Sequence, residues 1–68
     1  MTNSTALSSS VETSFIALGQ RAGERNYPRD PQNDQCFLDA FDLFPSSLDE
    51  LMSESWLRGW DKAKTEKA

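Results

Sequence analysis

The side chains able to carry chemistry in this chain are a single thiol, Cys36, and a run of carboxylates. The 68 residues include no histidine, so neither a Ser-His-Asp nor a Cys-His arrangement can be assembled. Cys36 follows the expected start of a helix, but Asp34 and Asp39 flank it and oppose the thiolate, so it reads as a buried structural cysteine. One thiol without histidine closes no internal disulfide and completes no tetrahedral zinc site. Asp30 and Asp34 lack the alternating oxygens, central glycine and terminal glutamate of a calcium loop. Asp39/Asp42 and Glu50/Glu54 have the spacing of a solvated helix face, and no phosphate-cradling glycine loop follows a strand. The sequence therefore assigns no catalytic residue, no metal ligand and no cofactor, and the expected role is non-enzymatic.

What the carboxylates can do is attract. Between Asp30 and Glu54 lie seven acids (Asp30, Asp34, Asp39, Asp42, Asp49, Glu50, Glu54) and no base. All seven lysines and arginines fall outside that window, alongside the remaining four acids, and the net charge is −4. Such a block disfavours direct nucleic-acid binding, whose affinity comes from cations displacing counterions. It suits a basic protein surface, or serves only to keep a small domain soluble. The candidate partner-binding residues are Asp39, Asp42, Asp49, Glu50 and Glu54, joined by Trp56 and Arg58 because tryptophan and arginine are over-represented at binding hot spots.

The elements that would position these residues are helical. Residues 1–8 are rich in Ser, Thr and Asn and read as a disordered tail, leaving 9–68 as a single small helical domain. Ser9-x-x-Glu12 has the form of a capping box, and Val11, Phe15, Leu18 and Ala22 follow as one apolar stripe at helical period. "NYPRDPQND" is a loop, because Pro28 and Pro31 forbid a continuing helix. Asp34 can cap a short helix carrying Phe37, Leu38, Phe41 and Phe44 on one side, which Pro45 stops. Ser47-x-x-Glu50 has the form of a second capping box, opening a helix through about Lys64 with Leu48, Leu51, Met52, Trp56, Gly59, Trp60 and Ala63 on one half of its wheel. No segment alternates with period two. The expected fold is all-α: a small bundle of two long helices with a short acidic helix between them.

A chain this short buries only about 60% of its unfolded surface, and neither a disulfide nor a metal is at hand to staple it. Its seven aromatics must supply the core, or a homodimer must bury those the monomer cannot. At least one tryptophan is therefore expected to be structural. Trp60 is the choice, since Gly59 beside it admits the first helix, with Trp56 left half exposed. Gly19 and Gly23 mark either a close approach on the first helix or, for Gly23, simply its end. No apolar run reaches the ~20 residues of a membrane helix, and the N-terminus lacks a basic segment followed by an apolar one. With its lone thiol, the chain is expected in the cytoplasm, away from membranes.

"GQRAG" (Gly19–Gly23), the Tyr27-Pro28 pair and "SWLRGW" (Ser55–Trp60) together resemble the ribosome modulation factor family and its small phage and plasmid relatives. Members carry a glycine/alanine helix, a loop with a Pro-Tyr type element and a helix with Trp-Leu-x-Gly-Trp. The resemblance spans about residues 15–28 and 55–64. It implies a tryptophan helix packed on a glycine-bearing one, and association with ribosomes or RNA. The ribosome-binding member is strongly basic, whereas this chain is acidic and places residues 33–54 between the two segments. The leading expectation is thus a phage- or mobile-element-type inhibitor or regulator that binds a basic surface of a host nucleic-acid-handling complex. The alternative is a ribosome- or RNA-associated factor using Arg21, Arg25, Arg29, Arg58, Lys62 and Lys64.

Overall fold

The computed structural model of the protein describes residues 3–67. The chain forms three α-helices, α1 (Asn3–Glu24), α2 (Gln35–Phe41) and α3 (Asp49–Lys67), with 3-10 turns at Pro31–Asn33 and Ser46–Leu48 and no strand among the described residues. The all-α class follows, as the lack of period-two alternation indicates.

Helix α1 begins at Asn3, ahead of the Ser9 capping box. Of the stretch expected as a tail, residues 1 and 2 lie outside the described residues, and the backbone of 3–8 is helical. The physical reason is that nothing stops it. The segment holds no proline or glycine, Ala6 and Leu7 are good helix formers, and extending a helix costs far less than nucleating one. Ser9 therefore lies inside the helix, and Glu12 pairs with Arg58 of α3 instead of closing a cap. At its other end α1 closes in a Schellman turn. Tyr27 N–H donates to the Ala22 carbonyl at 3.0 Å and Asn26 N–H to the Gly23 carbonyl at 3.1 Å. Asn26, at φ 63°, supplies the left-handed residue this motif requires. Gly23 is thus not the residue that ends the helix.

Two aspartates organise the loop. Asp30 accepts from Gln32 N–H at 3.1 Å and starts the first 3-10 turn. Asp34 accepts from Cys36 N–H at 3.0 Å and caps α2, as its position before the apolar run indicates. Pro45 opens the second 3-10 turn with no side-chain cap, and α3 follows directly from it. Ser47 lies within that turn and not at a helix cap, because proline's extended backbone already sets the entry angle.

Helices α1 and α3 run in the same direction. Gly19 meets the backbone of Trp56, Gly23 meets Trp60 and Ala63, and Lys64 reaches Asn26 just past the end of α1. Parallel neighbours cannot be joined by a short turn, so residues 25–48 form a crossover that carries the chain back along the pair. The core lies beneath it: Val11, Phe15 and Ala22 from α1, Phe37 from α2, Met52 and Trp56 from α3. Phe37 meets Phe15 edge-on at 5.4 Å between centroids and Trp56 at 6.4 Å, and Phe44 meets Phe15 at 6.0 Å. These are the T-shaped arrangements that the ring quadrupole favours.

Candidate functional site

The three glycines bring α1 and α3 together. A Cβ built on Gly19 would collide with the Trp56 carbonyl, and one on Gly59 with the Ile16 carbonyl. A Cβ on Gly23 would stand 2.9 Å from both the Ala63 Cβ and the Trp60 carbonyl. None of the three has positive φ, so the requirement is for room and not for backbone freedom.

The tryptophans exchange the roles expected for them. Trp56 is fully buried, at 0% exposure, and Trp60 is only partly covered. Two causes combine. Gly59 faces α1, and at 100° per residue position 56 lies about 60° from it around the helix while position 60 lies about 100° away. The crossover then seats Phe37 and Asp34 over Trp56. Trp56 Nε1–H donates to Asp34 Oδ2 at 2.8 Å, so the indole finds a buried acceptor. Trp60 sits at the edge, where its Nε1–H donates to the Tyr27 carbonyl at 2.9 Å and Lys64 Nζ lies 5.2 Å over its ring. Trp56 therefore belongs to the core and does not line a partner surface. No residue type or spacing in the sequence foretells the Asp34–Trp56 contact, which joins positions far apart in the chain.

The remaining candidates lie on the outside. Asp39, Asp42, Glu50 and Glu54 are exposed and Asp49 is half-buried in the first turn of α3. Asp39 accepts from Gln35 Nε2 at 2.9 Å. Among the described residues none of the five is in an ion pair. Arg58 is exposed and held by Glu12 at 2.8 Å, so its charge is partly satisfied within the molecule. A second ion pair is bidentate: Arg29 Nε and Nη2 donate to the two oxygens of Asp61, each at 2.8 Å. The hydrogen bond from Arg29 holds the Asp61 carboxyl below the usual carboxylate range.

Because the long helices are parallel, their C-terminal halves lie side by side. Arg21, Arg25, Arg29, Lys62 and Lys64 gather there, interspersed with Glu24, Asp30 and Asp61. Helix α2 starts beside Arg21 and Arg25 and leads away from them, so that the turn after it, where Phe44 rests on Phe15, and the first turn of α3 lie toward the other end. The exposed charges of α2, that turn and the first turn of α3 are all acidic. Cys36 is exposed, contrary to the buried role expected for it. It sits at the start of α2, turned away from Phe37, in a small cleft with Arg21, Arg25 and Tyr27. No group of three potential metal-ligating side chains occurs among the described residues. None of the helices is long and apolar enough to cross a membrane, among the described residues. No family model, no curated protein and no solved structure matches this chain.

Proposed function

We propose that the protein is a non-catalytic interaction module whose acidic end docks on a basic protein surface, in the manner of a small phage- or mobile-element-type inhibitor of a host nucleic-acid-handling complex. In this reading the short helix between the two long ones, with its flanking aspartates, is the working acidic element. The supporting observation is the distribution of charge: Asp42, Asp49, Glu50 and Glu54 carry no ion-pair partner among the described residues, while Arg21, Arg25, Arg29, Lys62 and Lys64 lie toward the other end of the α1–α3 pair and Arg58 is taken up by Glu12. A surface of one sign focuses field lines and steers an oppositely charged partner. The test is capture of a basic protein from host extract by the tagged chain, compared with a variant carrying D42N, D49N, E50Q and E54Q. Capture that falls steeply with salt and with the variant supports the proposal. Capture that is unchanged in both sinks it.

A second reading, association with ribosomes or RNA, is favoured by Arg21 and Arg25. They stand four residues apart, Arg21 in the last turn of α1 and Arg25 immediately after it, without ion-pair partners among the described residues, and border a cleft with Tyr27. Co-sedimentation with ribosomes at low salt that R21E/R25E abolishes would support it. Absence of co-sedimentation at low salt would end it.

A further inference from the structure

We propose that Leu43 is the apolar anchor of the acidic end, and that the partner it fits is a basic amphipathic helix. This rests on the acidic-end function proposed above and narrows it to a class of partner. Tyr27 and Leu43 are the exposed large hydrophobics among the described residues, and Leu43, at 79%, is by far the more open. An isolated exposed leucine is ordinary on a protein surface. This one is distinguished by how firmly it is held and by what surrounds it.

Leu43 occupies the turn after α2. Its N–H donates to the Ala40 carbonyl at 3.0 Å, and Phe44 N–H donates to the Phe41 carbonyl at 3.4 Å. The aromatic residues on either side point inward, Phe41 against Phe37 at 5.2 Å and Phe44 against Phe15 at 6.0 Å. Pro45 fixes the backbone immediately beyond, at φ −63°. The leucine is thus presented on a braced turn, and docking it would order little beyond its own side chain. Asp39 and Asp42 precede it, Asp49 and Glu50 follow across the 3-10 turn, and no base intervenes. An apolar knob flanked by carboxylates is complementary to an apolar helical stripe flanked by lysine or arginine, the pattern of a basic amphipathic helix. Burying the leucine would lengthen the residence time, while the charges would speed encounter.

The experiment uses the full chain and two synthetic probes of equal charge: an amphipathic Lys/Leu helix and an oligolysine. Wild type, Leu43→Ser and the variant carrying D42N, D49N and E50Q are titrated with each, after melting curves establish that all are folded. The expected result is that wild type prefers the Lys/Leu probe by about tenfold or more, the gain that burying one leucine provides. Leu43→Ser should erase that preference and leave oligolysine binding unchanged, and the charge variant should weaken both. If Leu43→Ser keeps the preference while the charge variant loses affinity, the anchor is overturned and the acidic end stands. If the charge variant binds both probes as wild type does, both proposals fall. Sedimentation of wild type alone covers the remaining occupant: a dimer that Leu43→Ser dissociates would assign this surface to a second copy and overturn the proposal.

Discussion

The two oxygens of Asp34 divide their work between neighbouring elements. One holds the first turn of α2, and the other accepts the indole N–H of Trp56, with the residue 4% exposed and no other acid buried among the described residues. A hydrogen bond to a charged group is worth roughly 1.5–3 kcal/mol, and more is lost when one partner is left buried alone. Asp34→Ser retains a capping oxygen but is too short to reach the indole, and Trp56→Phe retains most of the ring. Denaturant unfolding of the two single variants and the double variant should give a coupling energy of about 1.5–3 kcal/mol. Simple additivity would show that the contact contributes nothing specific. At the surface, Arg29 holds Asp61 mostly ionised to lower pH than an ordinary aspartate. The folded-state value lies below the unfolded one, so the contribution is present above the unfolded value and disappears as pH falls through the folded one. Both side chains are about half exposed, 52% and 49%, so the effect on stability is small. The sensitive readout is carboxyl titration by NMR, where Arg29→Gln should return Asp61 to the usual range.

At the level of elements, the decisive contact is backbone against backbone. Gly59→Ala would drive a methyl into the Ile16 carbonyl, which cannot swing aside as a side chain would, so α1 and α3 must separate. A loss of about 3 kcal/mol or more is expected, at the upper end of what overpacking costs, with a fall of ~12 °C or more in the melting temperature. A shift of only a degree or two would show that the helices accommodate the methyl. This contact was half legible beforehand. Gly19 and Gly23 stand out because glycine is costly inside a helix, and the Asp34 cap and the apolar face of α2 can be read from spacing alone. Three things could not be read. The start of α1 carries no breaker, so its serines resemble a tail although they continue a helix. The side of α3 that is covered depends on where the crossover lies, and that decision moved Trp56 inside and Trp60 to the edge. Cys36, one position before Phe37, turns outward as Phe37 turns in, and its neighbours in sequence do not reveal which of the two the core will take. The acidic residues, by contrast, fall where helical spacing puts them, with Asp42, Glu50 and Glu54 exposed.

The whole molecule carries an asymmetric charge on a small core. Repulsion among Asp39, Asp42, Asp49, Glu50 and Glu54 acts through solvent and is therefore open to screening. Raising salt from about 0.01 M to about 1 M shortens the screening length from ~30 Å to ~3 Å. The melting temperature should rise over that range, and it should rise less for D42N/E54Q, which separates relief of repulsion from general salting effects. An equal rise in both proteins would place the effect elsewhere. The shared direction of α1 and α3 also makes the middle of the chain indispensable as a path, independently of anything it touches. Should residues 25–48 be replaced by a short glycine linker, the second helix would have to arrive upside down, and Gly19 and Gly59 would no longer confront the carbonyls they are shaped to admit. Such a miniaturised chain is expected to show little helical signal by circular dichroism, because its two halves would keep their sequences yet lose the only orientation in which they fit.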